Sequence, residues 1–168
     1  MKKVVLFFLF LAALVTAAAQ TDESQYQPQL KAGTAAPEIT APDVSGKTVR
    51  LSSFKGKYVV VDFWATWCGD CRRDFPEFKR LAADYKGKVT FFGVSFDKSA
   101  DLWKKFLKEN GVDWVSVCNF KPWKQNPISA DYKLNWIPTM YIIAPDGTIA
   151  GGAIHAKDIR TQLEKLLK

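Results

Sequence analysis

The sequence has no run of five or six like charges, no internal repeat and no low-complexity tract. Lysine and arginine are scattered among acids, so the formal charge of +7, two units of it from Lys2 and Lys3, reads as a mildly basic solvated surface. No basic stripe carries interleaved aromatics, which argues against a nucleic-acid face. Histidine is reduced to His155, which precedes the last predicted helix as a loop or capping residue, and cysteine to Cys68, Cys71 and Cys118. An odd cysteine count leaves at least one unpaired within the chain. A Cys₃His metal set from these four would want a second close pair of ligands, and Cys118 and His155 stand alone, so no metal is expected. At 168 residues, 48% hydrophobic and 24% charged, the chain suits one folded domain rather than two, and neither a disordered nor a fibrous protein.

No apolar run reaches the roughly 20 residues that a spanning helix needs. One run, over 4–15, follows Lys2-Lys3 and precedes Thr16 and Ala17-Ala18-Ala19. A positive start, a short apolar middle and a small-residue end predict a secretory signal peptide over 1–19, with Ala17-x-Ala19 as its cleavage site. The alternative is retention of 4–19 as an anchor, and membrane contact is expected only in that case. No cysteine follows the small residues, so lipid modification is unsupported. Export to a periplasm or cell envelope puts the remaining cysteines in an oxidising compartment.

The polar, aperiodic stretch 20–36 is expected as a flexible lead-in to a folded domain over 37–168. Ser45-Gly46 between β-compatible stretches at 38–40 and 48–51 predicts a small hairpin. The continuous apolar run 58–64 predicts a strand covered on both faces. Phe75, Phe78, Leu81, Ala82 and Tyr85 recur at helical spacing over 70–85, and Gly87 ends that helix. A second buried strand follows at 88–96, then a helix over 100–110 with Leu102, Phe106 and Leu107 on one face. A short strand at 114–117 ends at Cys118, expected as a small buried hydrophobe. Asn126-Pro127 opens a brief helix with Asn as cap and Pro at its first position. Strands at 139–143 and 149–154 flank the turn Pro145-Asp146-Gly147-Thr148, and an amphipathic helix over 157–167 closes the chain. The order predicts an α/β fold: a mixed central sheet with parallel pairs, helices on both faces, and an antiparallel edge.

Chemistry concentrates at Trp67-Cys68-Gly69-Asp70-Cys71, where a buried strand gives way to a helix. Cysteines at i and i+3 on a first helical turn can close a disulfide with little backbone movement. The unsatisfied N–H groups and dipole at a helix start favour an anion at Cys68, and a thiolate is the attacking species in thiol–disulfide exchange. Cys71, one turn further in and expected to be less exposed, suits the resolving role.

VVVDFWATWCGDC resembles the active-site strand and motif of thioredoxins, Ile137-Pro138-Thr139 resembles their cis-proline loop, and Pro76 falls where they carry a kinking proline. The flanking PEI-T-APDVSGKTVRLSSFKGK and WIPTMYIIAPDGTI are more similar to the exported TlpA/ResA branch, over roughly residues 34–168. The resemblance implies a thioredoxin-like three-layer sandwich preceded by a β-hairpin, and thiol–disulfide exchange on exported client proteins with no cofactor beyond the Cys68–Cys71 pair. It favours the reductase direction, with a membrane electron donor as partner and cytochrome c maturation as one client pathway.

By position, Asp62 matches the buried carboxylate that takes the proton of the second cysteine, and an apolar strand would raise its pKa. Asp74 matches a Glu near the cysteines in the ResA branch; an ordinary exposed helix acid is the alternative. Pro138 matches the cis-proline facing the pair, which makes Ile137 a substrate contact beside Trp67, Gly69 and Asp70. Asp70 stands where thioredoxins have Pro, so its charge opposes a Cys68 thiolate unless it serves the helix start alone. Trp64 and Trp67 are expected to shelter the site, and Trp103, Trp114, Trp123 and Trp136 to pack. Two rival functions fit the sequence less well. A thiol peroxidase would resemble P-x-x-x-T-x-x-C, but Val61 and Ala65 fill those Pro and Thr positions. A non-catalytic binding module would not need both cysteines.

Overall fold

A computed structural model describes residues 23–168; the leader expected at 1–19 lies outside the described residues. The hairpin pairs β1 (Thr40–Pro42) with β2 (Thr48–Arg50). Its first arm starts at Thr40 rather than 38, because the Asp43 carboxylate accepts from the Ser45 and Lys47 amides and so sets the turn, with Gly46 at φ 86°. After it come β3 (Tyr58–Trp64), α1 (Gly69–Asp84), β4 (Val89–Ser95), α2 (Ala100–Glu109), β5 (Val115–Cys118), α3 (Pro127–Asp131), β6 (Thr139–Ile143), β7 (Ile149–Ala153) and α4 (Ala156–Leu166). This is the expected order of strands and helices.

The five-stranded sheet runs β5-β4-β3-β6-β7, with β3, β4 and β5 parallel and β6 and β7 antiparallel additions. Strand β3 is apolar throughout because it feeds two cores. Val59, Val61 and Phe63 pack on one face with Phe92, Trp103, Leu107 and Tyr132. Val60 packs on the other with Phe78, Leu81, Ile159 and Leu163. Helices α1 and α4 therefore cover one face and α2 and α3 the other, which is the three-layer α/β sandwich expected. Gly93 in β4 leaves room for two indoles: a Cβ there would lie 3.2 Å from Trp64 Nε1 and 3.5 Å from Trp114 Nε1.

Helix α2 buries Leu107 and packs Phe106 against Trp64 and Phe75 as expected, but Leu102 does not join them. Ser99 caps it through the Leu102 amide; Trp103 and Leu107, one turn apart, lie in the core and Leu102 stands 61% exposed. Asn126 caps α3 as expected, accepting from the Ile128 amide at 3.1 Å.

The described part of the lead-in runs along the outer side of β7. The Gly33 amide donates to the Ile149 carbonyl and the Ile149 amide to Thr34, both at 2.8 Å, while the Gln29 and Leu30 amides donate to the Tyr141 hydroxyl. An edge strand offers unpaired backbone, and this polar segment satisfies part of it. Gly152 permits the crossing: a Cβ there would sit 2.7 Å from the Met140 carbonyl oxygen and 3.1 Å from the Pro28 ring.

Candidate active site

Strand β3 ends at Trp64 and hands the chain to a three-residue loop before Cys68. That loop hangs from the neighbouring strand. Asp97, 2% exposed just past β4, accepts from the Thr66 hydroxyl at 2.6 Å and the Thr66 amide at 3.1 Å, and from the Ser95 hydroxyl at 2.6 Å. Cys68 occupies the N-cap of α1, and its sulfur accepts the Cys71 amide at 3.1 Å. Cys68 and Cys71 are disulfide-bonded, with Cα atoms 5.3 Å apart. When the bond is reduced, the same amide and the start of a sixteen-residue helix favour negative charge on the Cys68 sulfur.

Exposure does not separate the two cysteines, at 7% and 5%, because the cis-proline loop covers both. Their surroundings do. The Ile137–Pro138 peptide is cis, and the Ile137 carbonyl oxygen lies 3.5 Å from the Cys68 sulfur. Ile137 and Pro138 are buried, whereas Gly69 is exposed and Asp70 pairs with Arg73, which offsets its charge beside Cys68. The two tryptophans differ as well. Trp64 is buried against Phe75 and Phe106, whereas Trp67 stands 55% exposed.

Cys71 faces a small cavity lined also by Asp62, Asp74, Trp64, Phe78 and Pro138. Burial pushes the Asp62 carboxyl well above the usual range, and the charge of Asp74 adds to that. Asp74 is no exposed helix acid, with 16% of its side chain accessible. It accepts the Ala156 amide at 2.9 Å and so caps α4 from across the fold, and burial raises its pKa against that bond and against His155. His155 holds the N-cap position of α4 but its side chain does not cap; it meets Glu23 at 3.1 Å and Asp74 at 3.9 Å.

Sequence reasoning missed Asp97, Ser95 and Thr66. The available signal was a Ser and an Asp two residues apart where a buried apolar strand ends. It also missed the Tyr26–Trp136 ring contact, with centroids 4.3 Å apart beside Pro138. Cys118 is a free thiol at 0% exposure, as expected, and burial raises its pKa. Among the described residues no group of three His, Cys, Asp or Glu is placed to hold a metal, and no helix is long and apolar enough to cross a membrane.

A redox-active dithiol pair at the start of a helix, beside a cis-proline on a five-stranded α/β sheet, defines a thioredoxin-like site. Known proteins agree. The thiol-disulfide oxidoreductase ResA of Oceanobacillus iheyensis is 32% identical over 146 residues, 84% of this chain and 74% of that protein. The thioredoxin-like protein YneN of Bacillus subtilis is 29% identical over 147 residues, 84% of each. The thioredoxin domain of a thiol-disulfide oxidoreductase from Bacteroides vulgatus superposes with a TM-score of 0.75 at 31% identity, over 83% of this chain and 100% of that one. Residues 32–151 match the AhpC/TSA family, so the chain belongs to that family, as a thiol–disulfide oxidoreductase of thioredoxin-like fold.

Proposed function

We propose that the protein is exported and reduces disulfides of client proteins in the cell envelope, with Cys68 as attacking thiolate. The supporting observation is the Cys71 amide aimed at the Cys68 sulfur at the mouth of α1. In the dithiol state the Cys68 thiolate attacks one client sulfur. A Cys68–client S–S bond forms, the client disulfide breaks, and the released client thiolate takes a proton from solvent. Cys71 then loses its proton to Asp62 across their shared cavity and attacks Cys68. The Cys68–Cys71 bond closes as the Cys68–client bond breaks, the second client thiolate takes a proton from solvent, and the client leaves as a dithiol carrying the two electrons.

In this reading the negative charge of Asp74 raises the proton affinity of Asp62, which makes the Asp62 carboxylate a stronger base toward Cys71. The Ile137 backbone and Pro138 receive an extended client segment, with Trp67, Gly69 and Asp70 on its other side. The pair is recharged by a membrane electron donor, and no cofactor besides the disulfide carries electrons. The leader at 1–19 directs export and is removed, so that only a retained 4–19 would place the protein on the membrane.

Insulin-disulfide reduction tests the chemistry: wild type is active and Cys68→Ser is inert. Cys71→Ser should trap a mixed disulfide through residue 68, and trapping through Cys118 defeats the assignment. Direction is tested by the reduction potential of the pair. A value near the roughly −270 mV of thioredoxin supports reduction, and one near the roughly −120 mV of DsbA reverses it.

A further inference from the structure

A cleft of about 1160 Å³ opens between the β1–β2 hairpin and the segment joining α2 to β5, and neither cysteine of the disulfide lines it. Its floor is apolar, with Phe54, Leu107 and Val115. Its rim is cationic, with Lys47 and Arg50 on the hairpin and Lys104 and Lys108 on successive turns of α2. All four cations are exposed, and none forms a salt bridge among the described residues. The contrast on α2 itself is informative. Lys105, which does not line the cleft, pairs with Glu109, while Lys104 and Lys108 form no salt bridge among the described residues. Among the described residues the one acid lining the cleft, Asp43, gives one carboxylate oxygen to the amides of Ser45 and Lys47 and the Ser45 hydroxyl, and its charge attracts Lys47 without a salt bridge.

The backbone beside this rim is also unfilled. Strand β5 is the last in its sheet, paired with β4 on one side and bridged on the other only where Val117 meets Asp43. Val115 and Ser116 precede that bridge and line the cleft. A free strand edge beside an apolar floor accommodates an extended chain, whose alternate side chains turn to the floor. Lys104 and Lys108, one helical turn apart, are separated by roughly 6 Å. Alternate residues of an extended chain are spaced by roughly 7 Å, so carboxylates at every second position meet successive lysines.

We propose that this cleft is a docking site for an extended acidic segment of a partner protein, in which carboxylates alternate with apolar side chains. The segment lies along the β5 edge, its apolar side chains on Phe54, Leu107 and Val115 and its carboxylates at the four cations. Charge complementarity chooses this occupant: a neutral or basic segment would leave Arg50, Lys104 and Lys108 without a counter-charge at the rim. The site is separate from the disulfide and does not depend on the redox reading.

The test uses the purified ¹⁵N-labelled protein, titrated with a seven-residue peptide of alternating glutamate and valine. Amide shifts are expected to gather at 47–50 and 108–116, and affinity to fall as salt rises. A Lys104→Glu/Lys108→Glu variant should bind at least about tenfold more weakly, since each exposed pair is worth up to about 1 kcal/mol and reversal adds repulsion. Its insulin-reduction rate should be unchanged, which also shows that it is folded. A lysine–valine peptide should give no shifts. The proposal is overturned if the shifts scatter or gather at the disulfide, or if the reversed variant binds as well as wild type. It is equally overturned if vesicles of anionic phospholipid shift the same amides while the peptide does not.

Discussion

The Asp97 carboxylate holds both the amide and the hydroxyl of Thr66, two residues before the Cys68 sulfur. A buried acid on the end of β4 thus fixes the loop that aims the disulfide, although it touches neither cysteine side chain among the bonds of the site. Strand β3 alone would set only the loop's starting point.

Replacing Asp97 by Ala strands three donors, the Thr66 amide, the Thr66 hydroxyl and the Ser95 hydroxyl. The expected loss is about 2–4 kcal/mol of stability, read by urea denaturation. Asp97→Asn keeps one acceptor oxygen and should recover part of it. A purely structural role would leave turnover intact below the melting transition. A positioning role lowers insulin reduction about tenfold or more there, and shifts the pH profile of Cys68 alkylation, because small displacements of a reacting group are costly.

Asp62 leads to a pH-dependent prediction of definite sign. Its folded pKa lies above the ordinary aspartate value of about 3.9, so as pH rises through that window the unfolded chain sheds a proton the fold retains. Stability therefore falls across the window and stays reduced above the raised pKa. Asp62→Asn should melt higher than wild type at pH 7 and equally at pH 3, by calorimetry. The same variant should lose activity on the order of 10²-fold near neutrality, because Cys71 has lost its base. That deficit should shrink above about pH 8.5, where a thiol ionises unaided. An equal deficit at every pH would remove Asp62 from the proton path.

The two buried strands, the cap at Asn126 and the cysteine motif were legible because each rests on local chemistry: apolar runs, a capping side chain, residues at i and i+3. Two kinds of feature were not. Leu102 and Trp103 are both apolar, and which of them faces the sheet is decided by packing with residues distant in sequence, among them Phe120 against Trp103. Contacts between residues distant in sequence leave no periodic trace either. Asp74 caps a helix that begins at Ala156, and Glu23 reaches His155. The lead-in looked structureless for a related reason: its order comes from the β7 edge and from Tyr141, not from its own composition.

Cys118 should prove silent. Its sulfur lies 3.4 Å from the Asp97 carbonyl and accepts the Phe120 amide at 3.4 Å, with no solvent contact. Burial raises its pKa, so its thiolate is scarce near neutrality. In the reduced native protein an aromatic disulfide reagent should modify two thiols promptly and the third only after denaturant is added. Cys118→Ala should cost about 1 kcal/mol and leave client reduction unchanged. Prompt modification of three thiols would make Cys118 a participant.

The first described turn of the chain closes one side of a groove that reaches Pro138. Tyr26 lies against Trp136, Asn135 donates from its amide to the Gln25 carbonyl, and Glu23 meets His155; Tyr26, Trp136 and Pro138 line the same 600 Å³ cavity. A wall of this kind touches a bound polypeptide and not the sulfurs. Tyr26→Ala should therefore raise KM for a protein client several-fold, leave the reduction potential of the pair within error, and leave the reduction of a small aromatic disulfide unchanged. The stability loss should be no more than about 1.5 kcal/mol, the upper range for one aromatic pair. A fall in rate that is the same for the protein client and the small disulfide would show that Tyr26 acts through the cysteines, and the groove would lose its role in client choice.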